Sequence, residues 1–401
     1  MKIGILREGK VPPDSRVPIV PEQCKRIKDR APIEIMVQPF AGRCFSDKEY
    51  LAAGVRLQED LGECQILMGV KEVPVDLLLE GKTYLFFSHT IKMQSYNRKL
   101  LQAVLKKNIR LIDYEVLTDE EGNRLIAFGR FAGMVGAHNA LFTYGRRSGA
   151  FHLRRMKDCR DYAEAKALYK NINWPPLKIV LTGTGRVGSG AAEVLRDMGI
   201  PEVSAEDFLE RTYTSAVFTQ LRAPQYVVHK SGFPFEARHY YAHPEEYRSA
   251  FAPFARKADI FINGIFWDNR APAFFTLEEM QRPDFRIRVI ADVTCDIAPV
   301  SSVPSTIRAS TIAQPVYGFD PFTGLEVPPW QEGGIDVMAI DNLPNEMPRD
   351  ASAAFGNMFL DAVLPEFFKS HSEVLERATI TDKGVLCPRF SYLQGFVEGK
   401  A

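Results

Sequence analysis

Residues 177–190 read LKIVLTGTGRVGSG, and no other stretch constrains the fold as tightly. An apolar run leads straight into G-x-G-x-x-G at Gly183, Gly185 and Gly188, and residues 191–198 then read as a helix. Each glycine has a physical task. Gly183 permits the tight turn. Gly185 removes the side chain where backbone would meet a pyrophosphate. Gly188 lets the helix approach the strand. Arg186 and Val187 lie in the same turn, where the helix N-terminus offers amide donors and a positive dipole end. The stretch predicts a Rossmann-like unit that binds NAD or NADP. An acid for the ribose hydroxyls is expected about 20 residues on. Glu202, Glu206 and Asp207 are the candidates, on or after a short second strand near residues 202–205. Arg211 is close enough in sequence to keep the phosphorylated cofactor open.

Strand-like and helix-like segments alternate through the first half. Residues 2–6, 33–37, 65–70, 84–88 and 110–114 are short apolar or β-rich runs. Residues 96–107 carry Leu100, Leu101, Val104 and Leu105 at helical spacing. This alternation predicts a parallel sheet and an α/β fold. Ligands in such sheets collect beyond the carboxyl ends of the strands, and Lys71, His89 and Glu115 each follow a strand directly. Residues 131–146, with Gly133, Gly136 and Ala137, read as a long helix packed closely on a neighbour. Trp174-Pro175-Pro176 marks a boundary before the second series. Residues 258–263 and 288–292 read as buried strands, residues 318–334 as a loop dense in Pro and Gly, and residues 351–364 as a helix stopped or kinked at Pro365. Residues 204–247 are polar, aromatic and histidine-containing, and carry no clear pattern.

Composition narrows the function. The chain has 401 residues, with 50 basic and 50 acidic side chains. Zero formal charge argues against nucleic acid or an anionic membrane as partner; small-molecule substrates are expected. No apolar run approaches the ~20 residues of a membrane span. The opening MKIGILREGK is too short in apolar residues for a signal-peptide core, so a cytoplasmic location is expected. Cys24, Cys44, Cys64, Cys159, Cys295 and Cys387 are scattered without a CxxC pair, and the seven histidines form no HExxH. Neither a disulfide framework nor a metal site is expected.

Collinear blocks over nearly the whole chain carry a resemblance. They include R-x8-R-x-P-I-V-P from Arg7, G-V-K-E-V-P from Gly69, T-Y-L-F-F-S-H-T-I-K from Thr83, R-L-I-D-Y-E from Arg110 and A-F-G-R-F-A-G from Ala127. T-G-T-G-R-V from Thr182, F-I-N-G-I-F-W from Phe261, A-D-V-T-C-D from Ala291 and I-D-N-L-P from Ile340 complete them. The chain resembles the lysine-forming saccharopine dehydrogenases. It is more similar still to the lysine–2-oxoglutarate reductase half of the aminoadipic semialdehyde synthases, within the alanine dehydrogenase and transhydrogenase α-subunit superfamily.

The resemblance implies two Rossmann-like domains with parallel sheets, separated by a cleft. A substrate domain would comprise residues 1–135 and 343–401, and a dinucleotide domain residues 136–342. Lys71 and His89 match the family's acid/base pair. Arg16, Gln94 and Phe128 match positions that contact saccharopine, and Lys92, Glu115 and Arg124 match polar groups lining the same cleft. Gly185 and Arg186 match the pyrophosphate turn. Phe266, Val293, Thr294, Asp296, Ile340, Asp341, Asn342 and Leu343 match loops around adenosine and nicotinamide. Asn123 stands where the fungal enzymes have a cofactor-touching arginine. Residues 204–247 exceed the fungal length and resemble the NADP-preferring animal and plant reductase.

The implied activity is NAD(P)-dependent cleavage of saccharopine to lysine and 2-oxoglutarate, or its reverse. A related amino-acid or opine dehydrogenase and a non-catalytic transhydrogenase-like protein are the alternatives. Saccharopine has three carboxylates, and Arg16, Lys71, Lys92 and Arg124 can supply cations for them, arginine in bidentate fashion. Lys71 serves as a base only if its pKa falls. Burial and neighbouring cations would lower it, and a carboxylate such as Glu72 would raise it.

Overall fold

Runs of three buried residues make the first sheet. Lys2–Ile5, Glu34–Val37, Ile66–Met68, Thr83–Phe86 and Arg110–Asp113 each bury three in succession, the pattern of strands covered on both faces. The computed structural model describes residues 1–30 and 32–400. Within it these strands pair in parallel, in the order Arg110–Asp113, Thr83–Phe86, Ile66–Met68, Lys2–Ile5, Glu34–Val37, Arg56–Leu57. The chain's last segment returns to the same sheet: Thr379–Asp382 lies antiparallel to Arg110–Asp113, and Val385–Leu386 closes that edge. Helix Arg98–Lys106 buries Leu100, Leu101 and Val104 against Tyr84, Phe86, Leu111 and Ile380. The parallel strands all end on one edge. From that edge run the loops bearing Lys71, His89 and Glu115.

The second sheet is built around the glycine turn. Its order is Leu325–Val327, Tyr317–Asp320, Ile335–Met338, Val289–Asp292, Ile260–Asn263, Lys178–Thr182, Val217–Leu221. The last five run parallel, and the first two pair antiparallel. Both sheets are therefore mostly parallel, as expected, with antiparallel strands added at one edge of each. The strand next to Lys178–Thr182 is Val217–Leu221, and the expected second strand near residues 202–205 is reduced to one bridge, Glu202 to Phe218. The expected loop at residues 318–334 contains an antiparallel hairpin, because Gly324 at φ +69° turns the chain between two short strands.

Two glycine-lined helices meet beside this sheet. Helix Gly129–Ser148 crosses helix Arg186–Asp197 so closely that a Cβ on Gly133 would lie 1.8 Å from the Val187 carbonyl oxygen. A Cβ on Gly190 would lie 2.0 Å from that of Arg130. The unassigned residues 204–247 form helix Ala205–Glu210, strand Val217–Leu221, helix Ala237–Ala242 and most of a hairpin, Val227–His229 with Tyr247–Ser249. Their aromatic content is explained by burial: Tyr226, Tyr240 and Tyr247 join Phe251, Phe254, Phe261, Phe274 and Phe275 in one core.

The chain divides into two units, Met1–Phe128 with Pro348–Ala401, and Gly129–Met347. These limits differ from residues 135/136 and 342/343 because helix Gly129–Ser148 lies whole in the second unit, and helix Pro348–Ala362 whole in the first.

Candidate active site

Adjacent strands of the first unit carry the two expected acid/base groups. Ile66–Met68 pairs with Thr83–Phe86, so the segments holding Lys71 and His89 leave the sheet side by side. Between them stands Glu72. Its Oε1 lies 2.5 Å from His89 Nδ1 and its Oε2 3.2 Å from Lys10 Nζ. Burial opposes ionisation of Glu72, but the His89 hydrogen bond, backbone contacts and the nearby cations outweigh it and hold the carboxyl at about 2. An ionised Glu72 accepts, so His89 Nδ1 carries the proton, and in the neutral ring Nε2 is left to exchange protons. His89 sits in the left-handed region at φ 53°.

Lys71 satisfies the condition set for a base. Burial lowers its pKa, with Arg16 and Lys10 adding to the effect against Asp14 and Glu72. The neighbouring Glu72 is turned toward His89 and Lys10. The backbone of Lys71 is pinned by a residue the sequence reading did not single out. Glu8 accepts the amide N–H of Val70 at 2.6 Å and of Lys71 at 2.9 Å. Burial lifts the Glu8 carboxyl to about 7 from its ordinary 4.5, against the pull of those donors. The folded chain thus holds a proton that the unfolded chain has released between these values. Its contribution to stability is full below 4.5 and is lost as pH rises through about 7. Glu8→Gln is expected to flatten this part of the profile. Urea midpoints between about pH 5 and pH 8 check it, and an unchanged slope would contradict the buried placement.

The expected substrate contacts fall into two groups. Arg16 is buried and faces Asp14 with a bidentate fork, Nε to Oδ1 at 2.9 Å and Nη2 to Oδ2 at 2.6 Å. Its guanidinium lies 4.3 Å from the Phe128 ring centroid, and Phe128 stacks on Phe355 at 4.6 Å. That fork is unavailable to a substrate carboxylate unless Asp14 yields it. Arg16→Ala removes the guanidinium that faces Asp14, which is 2% exposed. A loss of about 3–5 kcal/mol is expected from unpairing such an ion, measured by urea unfolding and largely recovered in the Asp14→Ala, Arg16→Ala double variant. The second group is more open. Glu115 receives Arg124 Nη2 at 2.6 Å and stands 3.5 Å from Lys92 Nζ. It balances both exposed cations, and its buried Oε2 has no partner among the described residues. Gln94 is exposed and accepts the Tyr96 hydroxyl.

In the second unit the residues expected to meet a dinucleotide sit along one sheet edge. Gly183 takes φ +91°, and a Cβ there would meet the Gly264 carbonyl oxygen at 2.5 Å. A Cβ on Gly188 would meet the Gly183 oxygen at 2.0 Å. Gly185 differs: its backbone is extended and nothing lies within 4 Å of a Cβ there. Gly183 and Gly188 are thus required by the turn itself, while Gly185 leaves open space at the N-terminus of helix Arg186–Asp197. That fits a bound pyrophosphate. Phe266 follows Ile260–Asn263, Val293, Thr294 and Asp296 follow Val289–Asp292, and Ile340 to Leu343 follow Ile335–Met338. Thr294 Oγ1 donates to the Ile265 carbonyl at 2.8 Å, which ties two of these loops together. Phe266 is 94% exposed on this edge.

Two features lie outside these groups. His229, His239 and Glu246 bring three ligand-type atoms within 4.8 Å, a cluster that the dispersed sequence positions do not reveal. His229 Nδ1 accepts the Ser231 N–H at 3.0 Å, so its Nε2, 3.4 Å from Glu246, carries the proton. A ligating imidazole needs the opposite arrangement, and the cluster reads as a His–Glu–His group in which Glu246 stands 3.4 Å from His229 Nε2 and 3.6 Å from His239 Nε2. A concavity of about 800 Å³ lined by Phe142, Arg308, Tyr317 and Trp330 includes none of the expected site residues.

Residues 4–135 match the family model for the alanine dehydrogenase/PNT N-terminal domain. Among solved structures, an L-alanine dehydrogenase aligns over 100% of both chains with a TM-score of 0.68 at 17% identity. The fold is that of the two-domain, Rossmann-like alanine dehydrogenase class.

Curated relatives narrow the class. The chain is 31% identical to the mitochondrial alpha-aminoadipic semialdehyde synthase of Rattus norvegicus, over 96% of its own length and 47% of the relative's. It is 26% identical to the saccharopine dehydrogenase (NAD(+), L-lysine-forming) of Emericella nidulans, over 94% and 95%. It spans about half the length of the rat protein. The chain is thus similar over nearly its whole length to the lysine-forming saccharopine dehydrogenase and to about half of the semialdehyde synthase.

Proposed function

We propose that the chain interconverts lysine, 2-oxoglutarate, NAD(P)H and a proton with saccharopine, NAD(P)⁺ and water. The observation that carries this reading is the Lys71 and Glu72–His89 arrangement on adjacent strand ends, electrically coupled to buried Arg16. The similarity to the rat semialdehyde synthase and the Emericella saccharopine dehydrogenase supports it. The bound nicotinamide supplies the hydride. The chain's own groups do the rest. Lys71 Nζ, its pKa lowered by burial, and His89 Nε2, oriented by Glu72, each handle one of two protons: that on the amine and that on the carbinolamine oxygen as water leaves. Lys92 and Arg124, steadied by Glu115, offer positive charge to carboxylates, and Arg16 adds its own if Asp14 shifts. A substrate with one carboxylate would use this cationic set poorly.

Among the described residues no helix is long and apolar enough to cross a membrane. The six free cysteines support a reducing compartment such as the cytoplasm. The test is absorbance at the reduced nicotinamide band with a panel of amines and oxo acids. Lysine with 2-oxoglutarate is expected to give the fastest oxidation. Equal rates with pyruvate in place of 2-oxoglutarate would overturn the reading.

A further inference from the structure

Three adjacent strands of the second sheet each end on a buried polar side chain. Thr182, Asn263 and Asp292 close Lys178–Thr182, Ile260–Asn263 and Val289–Asp292, and they stand opposite one another in the parallel register. All three are fully buried, as are Ser302 and Thr306. A polar row inside a sheet costs free energy unless its members satisfy one another. Here they do. Thr182 Oγ1 donates to Asn263 Oδ1 at 3.1 Å. Asn263 Nδ2 donates to Asp292 Oδ1 at 2.8 Å and to Ser302 Oγ at 2.7 Å. Thr306 Oγ1 donates to Asp292 Oδ2 at 2.6 Å, and the Cys295 N–H donates to Oδ1 at 3.3 Å. The Asp292 carboxyl therefore only accepts, as an ionised group does.

Each member of the row precedes a loop expected to meet the dinucleotide. Gly183 follows Thr182, Gly264 to Phe266 follow Asn263, and Val293 to Asp296 follow Asp292. Cys295, in the left-handed region at φ 57°, extends the row to a fourth strand end, because its Sγ donates to the Ala339 carbonyl at 3.0 Å. Asp292 is 0% exposed, so it reaches a bound dinucleotide only through these loops. Burial raises its carboxyl to about 6, and Asp296 adds to the effect against the donors. Cys295 and Tyr317 also sense its charge, and burial pushes both up and keeps them neutral.

We propose that the ionised Asp292 carboxylate is a positioning group, which through Asn263 and Cys295 fixes the glycine turn and the neighbouring loops in the one arrangement that receives the dinucleotide. This rests on the dinucleotide reading of that edge and names the group that shapes it.

The test is calorimetric titration with NAD⁺, whose phosphates do not titrate between about pH 5 and pH 8. Asp292→Asn keeps the shape of the protonated acid and removes the charge. It should bind NAD⁺ ~10–150-fold more weakly than wild type at pH 8, the span of a lost charge-assisted hydrogen bond. Wild type should itself weaken about tenfold from pH 8 to pH 5, as expected for a group near 6. The gap between the two chains should narrow by the same factor. Thr306→Val removes one donor and leaves the charge, so it should move the wild-type pH response to higher pH. It also serves if Asp292→Asn shows a lost fold by circular dichroism. Equal affinities of wild type and Asp292→Asn at pH 8, a gap unchanged at pH 5, or a Thr306→Val response identical to wild type overturns the proposal. The dinucleotide reading survives each of these results. It falls, and the proposal with it, if wild type binds neither NAD⁺ nor NADP⁺.

Discussion

Lys71→Met is expected to lower turnover by ~10²–10⁴-fold, the usual span for loss of a general acid or base. The fold should tolerate it, because Lys71 is partly buried and methionine keeps much of its stem while removing a charge that burial disfavours. The partner substitution must respect the backbone. His89 has φ 53°, a region asparagine enters more readily than glutamine, so His89→Asn is the cleaner probe. It too should cost ~10²–10⁴-fold, and the double variant should lose less than the product of the two if the groups act as a unit. Each single variant should lose a limb of the kcat/KM pH profile while binding the dinucleotide normally. Near-normal turnover with an unchanged profile would return both residues to a structural role.

Gly185→Val is the second large effect. The extended backbone at Gly185 imposes no strain on a side chain, and the open space around its Cβ position imposes no clash with protein. Thermal stability should therefore be unchanged. The valine would occupy the space at the helix N-terminus where a pyrophosphate must approach the backbone. A weakening of dinucleotide binding by at least ~100-fold is expected, with Gly185→Ala intermediate. Fluorescence titration measures it. Gly188→Ala supplies the contrast: its Cβ would stand 2.0 Å from the Gly183 oxygen, so both stability and binding should fall.

The legible parts of this chain were those whose signal is local. Apolar triplets gave the strands of the first sheet, and the glycine spacing gave the turn. The strand Val217–Leu221 was obscured because the usual spacing from the turn points to Glu202–Ala205, and an inserted helix, Ala205–Glu210, carries the chain past it. The hairpin of Tyr317–Asp320 and Leu325–Val327 was hidden by Pro321, Pro328 and Pro329, which read as loop although one short strand fits before Pro321 and the other between Pro321 and Pro328. The Glu72–His89 contact depends on which strands are neighbours, and strand order is a tertiary fact that neither loop reports. Glu8 and Asp14 carry no pattern at all. Their importance comes from burial beside Lys71 and Arg16.

The most direct test of the central claim is the fate of the transferred hydrogen. The chain would be incubated with lysine, 2-oxoglutarate and reduced nicotinamide cofactor carrying deuterium at C4 on the transferring face. The product should be saccharopine, with one deuterium on the carbon that was the oxo carbon of 2-oxoglutarate, seen by mass spectrometry and NMR. Deuterium released to solvent, or found in a product that contains no lysine, would contradict it.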